Sequence, residues 1–236
     1  MKFLVIQQKR IGDVLTSTIL ANNLKKAYPN AQVDFMCYAN CVDVLKNNPN
    51  ISNIIVLEEK VRKNYFSLFQ FIFQIRAQKY DAVIDVYSKL ETNLITLFSK
   101  AKKKISYKKW YATIFYNYNI ERQTQKGKNQ LGLAIINRIE LLKPIISEEI
   151  TDYKPKIFLT PKEIETAKNY VANFPLDKDQ PNYMIGILGS EWYKTYPFEK
   201  MAELLDFIVE QTQANLFFNY IPKQKEEALA IYNLCK

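Results

Sequence analysis

The chain has 236 residues, 48% of them hydrophobic, with 33 Lys+Arg against 24 Asp+Glu and a net charge of +9. That is enough apolar material for a packed core in one large or two small domains, and it excludes a disordered chain. No apolar run approaches the roughly 18 residues of a membrane span, and no charged, small-residue signal peptide opens the chain, so a cytoplasmic protein is expected.

There is no histidine, and the three cysteines, Cys37, Cys41 and Cys235, are an odd number without the spacing of a disulfide framework or a zinc site. They read as buried or incidental thiols. The missing histidine removes the commonest general base, the Ser-His and Cys-His nucleophile pairs and the commonest transition-metal ligand together. Any proton abstraction falls to a carboxylate. Charge is unevenly spread: residues 1–160 hold 25 Lys+Arg against 13 Asp+Glu, a balance of +12, and residues 161–236 hold 8 against 11, a balance of −3. A field of that sign suits a phosphorylated substrate, an anionic membrane surface or nucleic acid, and also an ordinary solvated surface.

The first segment, Phe3–Ile6, reads as a strand buried on both faces, and from Val14 to Tyr28 the apolar residues follow a helical period. The polar turn between them holds Lys9, Arg10, Gly12 and Asp13. In an open parallel sheet such a turn lies at the carboxyl ends of the strands and faces a ligand, while Asp13 at or near the helix start also fits a simple capping carboxylate. No G-x-G-x-x-G or G-x-x-x-x-G-K-[ST] follows this strand, which disfavours a nicotinamide dehydrogenase or a P-loop nucleotidase. Only five glycines are present, so phosphate binding falls to helix ends and side chains.

Tyr28-Pro29-Asn30 breaks the helix, and Val33, Phe35 and Cys37 alternate as a second strand. A short helix over Asn40–Lys46, a strand over Ile54–Leu57 and a helix over Tyr65–Ala77 are expected next. The last is dense in aromatics and apolar around much of its circumference, which suits either a helix buried between the sheet and a neighbour or a surface for the acyl part of a lipid. Tyr80–Tyr87 is a central strand with Ser88, Lys89 and Glu91 at its carboxyl end, on the same rim as Asp13. A helix over Leu90–Phe98 and a basic strand over Lys102–Tyr107 follow. From Tyr107 to Gln130 no period holds in a stretch that includes Trp110 and Lys126-Gly-Lys128, and six lysines fall between Lys100 and Lys109. Long loops of this kind serve function or mobility. Lysines with interleaved aromatics also suit single-stranded nucleic acid, but no RNA-binding signature accompanies them, and a nucleic-acid partner is not expected.

Leu131–Leu142 reads as a helix, and residues 145–160 as a linker punctuated by prolines. Thr160-Pro161-Lys162-Glu163 has the order of a capped helix start. From Tyr183 a second βα series runs: strand Met184–Leu188, helix Phe198–Thr212, strand Asn215–Tyr220 and helix Lys223–Leu234. The expected fold is α/β, with two Rossmann-like domains over 1–160 and 161–236, the second incomplete.

At this point VIQQKRIGDVLTSTILANNLKKAYPNAQVDFMCY resembles the amino-terminal motif of the family 9 glycosyltransferases, the ADP-heptose:lipopolysaccharide heptosyltransferases. GILGSEWYKTYPFEKMAELLDFI is similar to that family's second-domain motif. The resemblance runs through the chain in order. It implies a GT-B arrangement, an acceptor-binding first domain and a donor-binding second domain. It also implies metal-independent, inverting transfer of heptose from ADP-heptose to a lipid A–inner-core acceptor, with peripheral contact at the inner membrane's cytoplasmic face. Asp13 is implied as the general base, Lys194 and Ser190 as the partners of the diphosphate leaving group, and Glu226 or Glu227 as a contact to the donor ribose. Lys9 and Arg10, with Gly12, Ser88 and Lys89, would meet the acceptor. The family also carries a D-x-G-x-x-H type segment in its second domain that is not found before Lys236. The expectation is therefore a fragment with an incomplete donor site, set against a non-catalytic basic module that binds an anionic glycolipid or another polyanion.

Overall fold

The computed structural model describes residues 1–125, 131–148 and 150–236, so the Lys126-Gly-Lys128 motif lies outside the described residues. The chain divides into two compact units, Met1–Thr160 and Pro161–Lys236.

In the first unit β1 (Lys2–Ile6), α1 (Ile11–Ala27), β2 (Gln32–Cys37) and β3 (Asn53–Val56) are followed by α2 (Glu59–Lys63) and α3 (Tyr65–Ala77). Then come β4 (Ala82–Asp85), α4 (Leu90–Phe98), β5 (Lys103–Tyr107), β6 (Tyr118–Ile120) and α5 (Leu133–Glu140). The strands form one six-stranded sheet in the order β3-β2-β1-β4-β5-β6, every neighbouring pair parallel. The order reverses between β1 and β4. At such a switch point the loops leaving two adjacent strands diverge to opposite faces and open a crevice beyond their carboxyl ends.

Alternation along β1 supplies both cores. Phe3 and Val5 pack with Val33, Phe35, Ile84 and the inner side of α1 on one face. Leu4 and Ile6 pack with Met36, Val83, Ile95 and the α3 residues Leu68, Ile72 and Ile75 on the other. A parallel sheet covered on both faces needs this continuous apolar strand. Burying one such side chain stabilises the fold by about 1.5–3 kcal/mol.

The first helix begins at Ile11 rather than Val14, because Arg10 turns the chain with φ 66 and its carbonyl already accepts from Val14 N–H at 3.0 Å. Asn40–Lys46 is a 3₁₀ turn over Ala39–Cys41 followed by turns, not a helix. The stretch after Tyr107 contains a 3₁₀ turn, Thr113–Phe115, and the edge strand β6, too short to show a period. Residues 145–160 are not a free linker. Ile145, Ile146 and Ile150 are buried in the first core, Tyr28 Oη donates to Ile145 O at 2.8 Å, and Asn23 Nδ2 donates to Asp152 O at 2.7 Å. The aromatic helix α3 is not buried all round either, since Phe66 and Phe73 are 71% and 60% exposed. Cys37 and Cys41 are buried, and burial pushes the Cys37 thiol up to about 12.

The second unit contains α6 (Pro161–Val171), β7 (Asn182–Gly186), α7 (Phe198–Thr212), β8 (Asn215–Asn219) and α8 (Lys225–Tyr232). β7 and β8 pair in parallel, Tyr183 opposite Leu216 and Gly186 opposite Asn219. Ile187, Met201, Leu205, Ala228 and Ile231 form its core between the pair and the helices α7 and α8.

Candidate active site

The crevice at the switch point is a pocket of about 450 Å³. Each strand near the reversal contributes to its wall from its carboxyl end: Gln7, Lys9, Arg10 and Asp13 behind β1, Val86 and Tyr87 behind β4, Tyr107 at the end of β5, Arg122 behind β6, with Asn137 and Arg138 from α5.

Behind β1 the backbone keeps pairing for two residues, Gln7 N–H to Met36 O at 3.1 Å and Tyr38 N–H to Gln8 O at 2.8 Å, before Arg10 reverses it. A non-glycine residue at positive φ costs on the order of 1–3 kcal/mol and persists only where its surroundings impose it. The consequence is that α1 starts at the pocket and carries Asp13 in its first turn. Asp13 makes no helix-capping contact, so the simple capping reading fails. Its Oδ1 instead accepts from Arg138 Nη2 at 3.2 Å.

Arg138 is the buried partner of that pair. Its side chain is 8% exposed against 49% for Asp13. Nε donates to Ser17 Oγ at 2.8 Å, Nη1 to Ala134 O at 2.8 Å and Nη2 also to Asp13 O at 3.1 Å. Ser17 Oγ in turn donates to Asp13 O at 2.8 Å. The guanidinium fork thus ties α5 to the first turn of α1 from behind, with most of its donors satisfied by fixed acceptors. Asp13 Oδ2 receives no donor from the described residues, and Asp13 lines the pocket.

The far wall is set by a buried polar cluster. Asp85 is fully buried at the end of β4; its Oδ1 accepts from Tyr87 N–H at 3.0 Å and Ser88 N–H at 2.8 Å, and its Oδ2 from Tyr116 Oη at 2.7 Å. Tyr116 Oη also lies 2.6 Å from Asn93 Oδ1. One hydroxyl hydrogen serves only one of these two acceptors at a time. Burial pushes the Asp85 carboxyl up, against the pull of those donors. The cluster fixes Ser88 at φ 49 and turns Tyr87 to the pocket wall. Lys109 Nζ closes the same loop from outside, donating to Ser88 O at 2.9 Å and Tyr87 O at 3.3 Å; burial lowers its affinity for a proton. Arg122 stands 4.1 Å over the Tyr107 ring, whose phenol burial pushes up to about 12.

Of the residues singled out from sequence, Lys9, Arg10 and Asp13 meet on the pocket. Gly12 is exposed in the first turn of α1 and does not line it; a Cβ there would meet nothing within 4 Å. Ser88 is fully buried, its hydroxyl 3.3 Å from Asn93 Oδ1, and serves the loop rather than the pocket wall. Lys89 is the N-cap residue of α4, its N–H bonded to Thr92 Oγ1, with its side chain exposed. Glu91 accepts from Tyr38 Oη at 3.3 Å. Sequence reasoning missed Tyr87, Tyr107, Arg122 and Arg138. The first two were findable as residues at or just beyond strand ends. The two arginines were not, because β6 was unseen and α5 has no local mark of what it packs against.

In the second unit the residues after β7 and β8 share that sheet's carboxyl rim. Gly189 is the pivot of the first loop: a Cβ there would sit 2.5 Å from Lys194 O, so only glycine allows the chain to fold back. Gly189 N–H donates to Thr195 Oγ1 at 3.1 Å. Ser190 and Lys194 are exposed on this loop, Lys194 Nζ 5.4 Å from the Tyr193 ring centre. Glu226 and Glu227 lie in the exposed first turn of α8, and Gln224, which sequence reasoning did not single out, donates from Nε2 to Gly189 O at 2.9 Å. It ties the two loops together. Among the described residues, no group of three His, Cys, Asp or Glu converges as metal ligands would, and no helix is long and apolar enough to cross a membrane.

A family model, glycosyltransferase family 9 (heptosyltransferase), matches residues 68–236. Lipopolysaccharide heptosyltransferase 1 of Campylobacter coli is 24% identical over 217 residues, covering 89% of this chain and 61% of its own length. Lipopolysaccharide heptosyltransferase 3 of Escherichia coli is 30% identical over 98 residues, 40% of this chain and 29% of that one. The chain thus spans about three fifths of the curated relative it matches along most of its length. Among solved structures, the glycosyl transferase family 9 protein from Veillonella parvula DSM 2008 superposes with a TM-score of 0.83 at 18% identity, over 100% of this chain and 67% of that one. E. coli heptosyltransferase WaaC with ADP superposes with 0.72 at 18% identity, over 98% and 71%. Likeness at this identity establishes the fold, α/β of the GT-B glycosyltransferases, in agreement with the sequence reading.

Proposed function

The chain belongs to glycosyltransferase family 9, and from that premise we propose that it moves a heptose or related sugar, with inversion, from a nucleotide-sugar donor to a lipopolysaccharide inner-core acceptor. ADP-heptose is the proposed donor; the solved relatives include WaaC with ADP and with ADP-2-deoxy-2-fluoro heptose. The observation that carries the reading is the Asp13–Arg138 pair: a half-exposed carboxylate in a cation-lined pocket, held through Oδ1 by a buried guanidinium, with Oδ2 left without a donor among the described residues.

Asp13 is the general base. As the acceptor hydroxyl oxygen attacks the anomeric carbon, its proton passes to Oδ2, and the bond from that carbon to the diphosphate oxygen breaks on the opposite side. Arg138 fixes the carboxylate's orientation so that one oxygen stays free for the proton. Lys9 and Arg10 receive anionic groups of the acceptor, with Gly12 and Lys89 at its margin. The role first given to the Ser88 side chain passes to the loop it anchors. In the second unit Lys194 neutralises the departing diphosphate and Ser190 donates a hydrogen bond to it, electrostatic stabilisation in place of a metal. Glu226 or its neighbour Glu227 accepts from the donor ribose. The first unit is therefore the acceptor side and the second the donor side. A lipid-borne acceptor brings the protein to the cytoplasmic face of a membrane as a peripheral visitor.

The test is heptose transfer to a deacylated inner-core acceptor by the wild type and by Asp13→Asn. Loss of a general base lowers kcat by about 100-fold or more, with the Kd for ADP unchanged. Near-normal turnover of Asp13→Asn removes Asp13 from the chemistry, and equal turnover with unrelated nucleotide sugars removes the heptose assignment.

A further inference from the structure

Tyr107 ends β5 with its side chain in the core under α1 and α5, together with Ile105 and Ile139. Its backbone is fixed from β6: Tyr107 stands opposite Ile120, and Lys108 N–H donates to Ile120 O at 2.8 Å. Two residues past Ile120, the Arg122 guanidinium stands 4.1 Å from the ring centroid and covers one face. With the residue only 3% exposed, the ring has no open face on which a sugar could stack. Whatever Tyr107 offers the pocket it offers through its hydroxyl.

That hydroxyl is unusual among the buried phenols. Tyr80 and Tyr116 are buried about as deeply, and each spends its hydrogen on a carboxylate: Tyr80 Oη donates to Asp34 Oδ2 at 2.6 Å and Tyr116 Oη to Asp85 Oδ2 at 2.7 Å. A buried tyrosine normally finds such a partner. Tyr107 Oη makes no hydrogen bond with any described residue, yet it is not one of the polar atoms sealed from solvent without a partner, which belong to Gln8, Asn48, Thr96 and Asn119. The little surface that Tyr107 keeps therefore includes its hydroxyl, and the residue lines the Asp13 pocket.

The surroundings decide what the hydroxyl can do. Burial pushes the phenol up to about 12, with Arg138, Arg122 and Asp13 all within electrostatic reach of it. At neutral pH it keeps its proton, so beside Asp13 it is a donor and not a second base. The pocket amide of Asn137 is already engaged with Gln123 and Leu133 O. An anionic group on a ligand is drawn to the cations of Lys9 and Arg10, which leaves a neutral hydroxyl as the match for a neutral donor.

We propose that Tyr107 is a specificity-determining residue of the acceptor site, its hydroxyl donating to a second hydroxyl of the same sugar whose attacking hydroxyl meets Asp13. The ligand class so selected is a sugar with two hydroxyls within reach of one pocket wall. The proposal deepens the reading of this pocket as the acceptor side and rests on it.

Acceptor binding is measured by calorimetry on the full chain, wild type and Tyr107→Phe. The probes are a deacylated inner-core acceptor, analogues lacking one hydroxyl of its terminal sugar at a time, and the dephosphorylated acceptor. Tyr107→Phe is expected to weaken binding of the parent acceptor about tenfold, the scale of one neutral hydrogen bond. One deoxy analogue should lose a similar factor in the wild type and bind Tyr107→Phe no more weakly than the parent does, because both changes remove the same bond. A merely structural role gives losses that add for every analogue and lowers the urea midpoint. Parent binding unchanged in Tyr107→Phe overturns the proposal, and so do losses that add throughout. Coupling to the phosphate instead of a hydroxyl also overturns it, giving the phenol to an anion. The two readings fail separately. The expected coupling without heptose transfer sinks only the enzyme, and transfer by a wild type whose acceptor binding ignores Tyr107→Phe sinks only the role of the phenol.

Discussion

Removing the charge of Arg138 should cost far more stability than removing the charge of Asp13, although the two form one ion pair. Arg138 is 8% exposed and donates to Ser17 Oγ, Ala134 O, Asp13 O and Asp13 Oδ1 at 2.8–3.2 Å. Arg138→Met keeps much of the aliphatic stem and leaves those acceptors without their donor. A hydrogen bond to a charged group contributes about 1.5–3 kcal/mol, and such bonds share one side chain, so the expected loss is about 2–4 kcal/mol. Asp13→Asn leaves an acceptor oxygen for Nη2 and removes only a charge that is half in water, where an ion pair contributes about 0–1 kcal/mol. Urea unfolding followed by far-UV circular dichroism measures both, with the m-value as a check that only stability has moved. A fall of more than about 2 kcal/mol in Asp13→Asn would refute the reasoning, since comparable losses from either side are the mark of a pair kept for structure. A double-mutant coupling below about 1 kcal/mol is the result expected of a carboxylate left free for chemistry.

Burial holds the Asp85 carboxyl above its unfolded value, so over the window just above the ordinary carboxylate range the folded chain binds a proton that the unfolded chain has lost. Stability therefore falls as pH rises through that window, and Asp85→Asn, which keeps the Oδ1 acceptor, flattens the fall; melting temperatures between about pH 4 and 7 give the slope. Tyr116→Phe removes the hydroxyl that bonds to Asp85 and Asn93 and should cost about 1–3 kcal/mol in urea unfolding. Gly189→Ala would place a Cβ 2.5 Å from Lys194 O, forcing the Ser190–Lys194 loop outward. ADP affinity measured by calorimetry should drop while the urea midpoint of the first unit stays constant, and unchanged affinity would separate that loop from the donor.

The carboxyl-end loop of the first strand was legible in the sequence because its logic is local. A run of β-branched residues, a short polar turn and an amphipathic helix are written in consecutive residues, and they place Lys9, Arg10 and Asp13 on a rim without any knowledge of the neighbours. The helices α3, α4 and α7 were legible for the same reason, to the residue. What tertiary structure alone decided depends on partners distant in the chain. Arg138 meets Asp13 across 125 residues, and only packing of α5 on α1 turns a capping-like carboxylate into one held by a guanidinium. The edge strand β6 is three residues long and forms by pairing with β5, so no period announces it. Ser88 reads as a polar residue on the rim, yet Asp85 draws its backbone inward and buries it. The aromatic content of α3 is plain in the sequence. Which of its rings meet the sheet and which meet solvent was decided by one rotation of the helix on the core, because a helix dense in apolar residues all round carries no stripe strong enough to choose its own inner face.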